Sequence, residues 1–442
     1  MRITMTKGIG SRRVASTALG AAVAMLVAAG CNSGILDVKN PQAFSTGNLD
    51  NPAILQNVTD GAEGVLHQSF SSWITDSELL SDEIESTSTW IDWEDISFGR
   101  VRGDWPSPGG FSDAMDGLLR ARFAAQDAIE RVKRVKPTNE AALLAQVQWV
   151  DGVSDLLMGM VYCEGPLAPN AARSPDTALL AQSVTKLEAA LATAAGNAEW
   201  TNAAHAALAR AYLATGQYDK ALAAAQAVPA GYRKEAVYAE GTGNQQSEVG
   251  NQFNQAHNRS GGLRVDKYAA RVHEIDPVKT GEAYLRDWFD PTQDDKRMAV
   301  TRFTGQLGVN NHTQYYGITK YVDRSANIAM FTKNEMNLIE AEVAMKKNDY
   351  ATEAAKLNIS RVASGLQAIP APTTAAEALN ALLNERQAVL WIEGQRTWDL
   401  ARYDLVATKL GTGRATKLPM SMNEVYNNSN MKIGQAACPK VS

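Results

Sequence analysis

Leu143, Val147, Val150, Ser154, Leu157 and Val161 step along the chain by four, three, four, three and four residues. That spacing stacks side chains on one face of an α-helix. Leu180, Val184, Leu187 and Leu191 repeat the pattern, as do Leu55, Val58, Ala62 and Val65. Start signals agree with the period. Asn51-Pro52 and Ser174-Pro175 each put a capping side chain before a proline at the first helical position. Thr374-x-x-Glu377 reads as a capping box ahead of Leu379, Leu382 and Leu383. No run of alternating residues makes a convincing strand. The fold class this predicts is mainly α.

Residues 204–228 have the layout of a tetratricopeptide helix pair. Leu208, Ala209 and Tyr212 sit on the first helix, Gly216 opens the turn, and Tyr218 and Ala221 begin the second. Alanine is needed at Ala209 and Ala221 where the helices approach closely, and Gly216 permits the reversal. A looser copy spans Leu338 to Gly365, with Ala341, the Asn348-Asp349-Tyr350 turn and Ala354-Ala355. Such pairs stack into a solenoid, which is a scaffold rather than a chemistry. Two loop-rich insertions interrupt it, at about 86–112 and 229–330, rich in Gly, Asn and Pro. Long loops on a rigid scaffold are usually functional.

The first thirty residues read as a lipoprotein signal peptide. Arg12 and Arg13 precede an apolar stretch from Val14 to Ala29, and small residues lead to Cys31. The cysteine would be acylated and the leader removed, leaving residues 31–442 as one helical binding domain. Ser11-Arg12-Arg13 hints at twin-arginine export, but Val14-Ala15-Ser16 continues it poorly, so the general route is expected. The alternative is an ordinary signal peptide with a chance cysteine. After Gly30 nothing approaches the roughly 18 apolar residues of a membrane span.

The formal charge is −5. The leader holds Arg2, Lys7, Arg12 and Arg13 and no acid, so the remainder is more acidic still. An acidic surface repels phosphate backbones, which argues against nucleic acid. Cys163 and Cys438 remain after Cys31. Beyond the cytoplasm such a pair can bridge, pinning the C-terminal tail to the middle of the chain. The alternative is two separate thiols, Cys163 buried as a small apolar residue.

Asn334-Glu335-Met336-Asn337-Leu338-Ile339-Glu340-Ala341-Glu342 is followed by Leu357-Asn358-x-x-Arg361, Gly365 and Glu385-Arg386. After these comes Glu393-Gly394-x-Arg396-x-x-Asp399-Leu400-x-Arg402. This order and spacing resembles the SusD/RagB family of surface lipoproteins from Bacteroidetes-type bacteria. Leu36-Asp37-Val38-x-Asn40-Pro41 is similar to that family's mature start, and Leu79-Leu80-Ser81-Asp82 resembles its first-third pattern. The resemblance implies a SusD-like α fold on the outer face of the outer membrane. It also implies capture of a nutrient, most often a glycan, and closure as a lid over a TonB-dependent, SusC-like β-barrel transporter. It implies no catalysis.

The residues of the Glu393 motif read as structural. Leu379, Leu383, Arg386, Leu390 and Glu393 fall on one stripe, and Glu393, Arg396, Asp399 and Arg402 alternate in sign at i, i+3 spacing, as paired charges beside a core should. A working carboxylate pair is the alternative.

Catalytic constellations are thin. There are five histidines and no H-E-x-x-H or Cys/His zinc spacing; His273-Glu274 stands alone. No nucleophile elbow or phosphate loop appears, and Gly241-Thr-Gly243 and Gly411-Thr-Gly413 read as turns. Asp82/Glu83 or Asp294/Asp295 could serve a glycosidase, but neighbours in sequence point in different directions. Asp290, Asp294 and Asp295 lack the spacing of a calcium loop. No metal and no cofactor is expected.

Aromatic residues are the better lead. Trp90, Asp92 and Trp93 sit together in a polar stretch, and Trp105 follows among prolines. Asn310 and Asn311 stand beside Tyr315 and Tyr316, and Trp288 can join them. A ring on a polar loop either packs or binds. Sugars offer an apolar C–H face to such rings and hydroxyls to Asp and Asn. These nine residues are the expected ligand site, or else plugs that seat the loops on the solenoid. A tetratricopeptide-type scaffold lipoprotein of an envelope assembly is the competing reading, a surface glycosidase the third.

Overall fold

A computed structural model describes residues 49–87, 89, 91–103, 110–239, 268–270, 281–308, 310–321, 325–436 and 438. The leader and Cys31 lie outside them, as do Trp90 and Trp105. The helices are α1 (Leu55–Leu80), α2 (Ile91–Ser97), α3 (Gly110–Val135), α4 (Glu140–Val161), α5 (Asp176–Thr193), α6 (Ala198–Ala214) and α7 (Tyr218–Ala227). They continue with α8 (Lys333–Lys346), α9 (Tyr350–Ala363), α10 (Ala375–Val389), α11 (Arg396–Arg402), α12 (Val406–Leu410) and α13 (Met422–Asn427). The protein is mainly α, on a tetratricopeptide-like scaffold.

The core is built by α1, α3, α4 and α5. Every member of the Leu143–Val161 row is buried. Leu180, Val184 and Leu187 of α5 face it, and two glycines let them in. A Cβ at Gly152 or Gly159 would fall 2.7 Å from Cγ of Leu187 or Leu180. Seven residues apart, the glycines lie on one face of α4, so two leucines sink into its backbone. That close fit offsets the roughly 1 kcal/mol a mid-helix glycine costs. Charges between α4 and α5 are paired: Lys186 bridges Asp151 at 2.8 Å and Asp155 at 2.6 Å.

Both helix pairs form. Gly216 turns α6 into α7 at φ +72, and Ala209 and Ala221 are fully buried. Asn348 turns α8 into α9 at φ +57, and Asp349 then caps α9 through Thr352 N at 3.1 Å. Thr374 caps α10 through Glu377 N at 3.2 Å; Glu377 answers on Thr373 N at 2.8 Å, one residue earlier than a strict capping box. Ser174-Pro175 is not the expected cap. Both residues belong to strand β3, and α5 begins at Asp176.

The strands are β1 (Ile84–Ser86), β2 (Glu164–Pro166), β3 (Arg173–Pro175), β4 (Arg233–Ala236), β5 (Tyr268–Ala270), β6 (Gly281–Arg286), β7 (Asp294–Leu307), β8 (Gln314–Ile318) and β9 (Ile328–Thr332). β6, β7 and β8 form an antiparallel meander, and β1 pairs with β5, β2 with β3 and β4 with β9. The expectation of irregular loops through 229–330 is therefore corrected. The alternation in β7 is hard to read because charges hold part of its inner face: Asp295 is fully buried beside Met298 and Val300.

Those charges dock the meander on the solenoid. Arg297 bridges Asp295 at 2.6 Å and Glu385 of α10 at 2.8 Å. Arg361 of α9 bridges the same Glu385 at 2.5 Å and Asp287 at 2.7 Å. Each charge here has an opposite neighbour, which is the condition for burying it.

Cys163 and Cys438 are joined by a disulfide, Cα–Cα 6.0 Å, across 275 residues. Among the described residues no helix is long and apolar enough to cross a membrane.

Candidate functional site

The meander's far turn meets the loop after β1. Asn310 folds the turn around its own side chain: Oδ1 accepts from His312 N at 3.2 Å and Thr313 N at 3.1 Å, and Nδ2 donates to Thr313 Oγ1 at 3.0 Å. Asn311 takes the left-handed conformation at φ +60 and is exposed. The Asn310 N–H then donates to the carbonyl of Thr87 at 2.9 Å. Gly308 lies so close to Thr87 that a Cβ there would collide with its side chain. Thr87 and Asn310, more than two hundred residues apart in sequence, thus bring the two insertions together at one place.

On the other side of Thr87 comes α2. Asp92 and Glu94 occupy its first turn, where the exposed N–H groups favour negative charge. Ser97 at its end accepts Ser86 N on Oγ at 3.1 Å, closing α2 back onto β1. Arg100 holds Asp95 at 2.8 Å and lies 4.8 Å over the Phe98 ring. Ile91, 70% exposed, and Phe98, 50% exposed, face solvent.

The expected site residues divide. Trp93 is buried at 9% exposure and seats α2 on the core. Trp288 donates its indole N–H to Glu385 at 2.7 Å, under the Arg361 guanidinium. It lies in the turn before β7 and Asn310 lies in the turn beyond it, so the two stand at opposite ends of that strand. The ion-paired turn that holds Trp288 is thus set apart from the turn that carries Asn310. Tyr316 is half-buried against the main core. Asp92, Asn310 and Asn311 are at the surface of the convergent region. Trp90 and Trp105, and the side chain of Tyr315, fall outside the described residues.

Behind the two loops lies a clamp that the sequence analysis missed. Glu83, at the foot of β1, accepts the Ile392 N–H at 2.7 Å, and Glu78 accepts the Gly394 N–H at 2.5 Å. From beyond β8, Lys320 reaches the Trp391 carbonyl at 2.6 Å and Glu393 at 2.7 Å, while Tyr321 Oη donates to Ile392 O at 3.0 Å. The turn 391–394 thus grips the stems of both loops. Ile392 at φ +54 and Gly394 at φ +79 make the turn, and a Cβ on Gly394 would strike Trp73. Burial is the main cause that lifts the Glu78 carboxyl to about 8, and it lifts Glu83 well above the usual carboxylate range.

The expected i, i+3 charge ladder is also corrected. The helix ends at Val389, so Glu393 sits in the turn and pairs with Lys320, while Arg396 forks onto Asp82. Only Asp399–Arg402, at 2.8 Å, is an i, i+3 pair. Asp294 pairs with Arg286 and Asp295 with Arg297, so neither stands as a free carboxylate for glycoside chemistry. Among the described residues no group of three or more metal-ligating side chains gathers.

Residues 304–438 match the model of the SusD family. Among solved structures, a SusD-like carbohydrate-binding protein from Bacteroides vulgatus is 16% identical with a TM-score of 0.61, over 80% of this chain and 83% of that one. A laminarin-binding SusD-like protein is 16% identical with a TM-score of 0.62, over 86% and 98%. A SusD-like protein from Bacteroides fragilis is 13% identical with a TM-score of 0.61, over 88% and 98%. At these identities the likeness to solved structures is one of fold. A search of curated proteins finds no match.

Proposed function

Taking the chain as a SusD-family protein over residues 304–438 and SusD-like in fold, we propose that it captures an oligosaccharide at the convergence of its two loop insertions. The observation that carries this reading is the Asn310 N–H on the Thr87 carbonyl at 2.9 Å, which unites the Trp90-bearing and the Asn310–Asn311 segments. The exposed Phe98 ring of the first loop and the exposed Asn311 amide of the second then offer an apolar face and a polar rim to one sugar chain. The role read here is binding rather than catalysis; Asp294 and Asp295, the acid pair of the meander, are each held by an arginine.

Lipid on Cys31 would hold the chain at the outer membrane's outer face. From there it would pass its ligand to a SusC-like, TonB-dependent barrel. The carbohydrate named for two of the structural neighbours supports the ligand class. An array of neutral oligosaccharides and of peptides, probed with the purified unlipidated chain, tests the reading. Binding to one group of glycans is expected; peptide binding alone, or none at all, would overturn it.

The scaffold reading would use the outer face of α9, where Ile359 and Val362 are exposed. Capture of envelope proteins that fails on Ile359→Asp, with no glycan bound, would favour it.

A further inference from the structure

We propose a second carbohydrate-binding cleft, built by α3, the β2–β3 turn and α13. It rests on the oligosaccharide reading above but shares no residue with the loop site. It is a cavity of about 640 Å³. Its floor is Leu119, Phe123, Pro166 and Pro169, and its rim carries Arg120, Asn170, Asn423 and Asn427.

Phe123 is the central observation. The α3 residues beside it, Ala121 and Ala125, are fully buried, whereas Phe123 is 64% exposed. An exposed phenyl leaves an apolar face that a ligand can cover. Pro169, exposed on the β2–β3 turn, adds apolar surface without rotamer freedom to lose on binding.

The walls are tied to one another. Arg122, buried, donates to the Pro166 carbonyl at 2.7 Å and to Asp155 at 3.1 Å, fixing the turn on α3. Asn423 Nδ2 donates to Asp116 at 2.6 Å, fixing α13 on α3. Asn430 Nδ2 donates to the Asn170 carbonyl at 2.6 Å and Asn428 Nδ2 to Ala171 at 2.8 Å, fixing α13 to the turn. Asn170 is held in the left-handed conformation at φ +57. A cleft tied on three sides is preformed, so binding loses little ordering entropy.

The rim chemistry selects the ligand. The Asn423 and Asn427 amides spend their N–H groups inside the protein, on Asp116 and on the Asn423 carbonyl. Their Oδ1 atoms, the Asn170 amide and the Arg120 guanidinium have no protein partner among the described residues. Acceptors and donors are thus spread around one ring. Asp116 and Glu424 stand against Arg120 and Arg122, so the lining carries no net charge and favours a neutral ligand. A neutral molecule with one apolar face and hydroxyls along its edges is a sugar. A peptide would need a strand edge or a row of side-chain pockets, and the cleft has neither.

The test is the neutral-oligosaccharide array probed with the purified chain, its Phe123→Ala, Phe123→Tyr and Asn423→Ala variants, and the loop-site variant Asn311→Ala. Glycans that persist in Asn311→Ala, but bind three- to tenfold more weakly in Phe123→Ala, are expected, by roughly the worth of one stacked ring. Phe123→Tyr should restore them, and the melting temperature should stay unchanged in both Phe123 variants. Glycan binding that Phe123→Ala and Asn423→Ala leave intact overturns the cleft and spares the loop site. Binding to peptides alone, or to nothing, overturns both.

Discussion

Asp82 and Arg396, 314 residues apart, face each other as a two-pronged ion pair, Nε to Oδ1 at 2.7 Å and Nη2 to Oδ2 at 2.9 Å. Asp82 follows α1 in the first third of the chain, and Arg396 opens α11 in the last. The two sequence motifs that carry the family resemblance are thus the two sides of one contact. Gly394 and Ile392 sit beside it on Glu78 and Glu83.

Arg396→Met should therefore be costly, because it takes the guanidinium away from a mostly buried carboxylate. We expect a loss of roughly 3 kcal/mol in urea unfolding. Adding Asp82→Asn should return part of it, since the negative charge that faced the guanidinium is then gone. A single variant as stable as the native chain would show that the clamp does not hold the two ends together.

Glu78 makes stability depend on pH. A free glutamate titrates near 4.5, and burial lifts this one to about 8. Between those values the folded chain keeps a proton that the unfolded chain has lost, so stability falls as pH rises across that window. Glu353, buried with both carboxylate oxygens unbonded, is also lifted to about 8 and adds to the slope. Glu78→Gln mimics the protonated form and should flatten the decline between pH 5 and 8. Melting curves across that range read it directly; an unchanged slope would mean that Glu78 is not the group responsible.

Much of the scaffold is legible in the sequence because helices carry their period in apolar residues. The rows on α4 and α5 and the turns at Gly216 and Asn348 are examples. The meander is not legible, because its inner face is held by Asp295, Arg297 and Asp287, which read as loop residues until their partners Glu385 and Arg361 are known. The Glu393 motif shows the same limit. Its charges are visible, but whether they pair along a helix or reach across to Asp82 and Lys320 depends on where α10 ends. Of the candidate site, the two loop segments could be read as separate aromatic and amide clusters. Their meeting at Thr87 could not, since it rests on a backbone hydrogen bond.

The bridge between Cys163 and Cys438 closes a 275-residue separation. Mass spectrometry without reductant should find both cysteines protected from alkylation. Replacing both with serine should lower stability by on the order of 3 kcal/mol. Two freely alkylated thiols in the exported protein would refute the bridge.

Cys31 is expected to carry the anchor, so Cys31→Ser should move the protein from the detergent phase to the aqueous phase, or leave it uncleaved. Several acyl chains on one cysteine hold a protein far more firmly than one. Detergent partitioning that ignores the substitution would contradict the lipoprotein reading.

Calorimetric titration of the array-selected oligosaccharide into the native chain and into Trp90→Ala and Asn311→Ala tests the central claim most directly. Each variant stands in one of the two loops that meet at Thr87. The account predicts that either change weakens binding several-fold, with about 1 kcal/mol lost for the ring, while the melting temperature holds in Trp90→Ala. Affinity unchanged in both variants would place the ligand elsewhere and contradict the account.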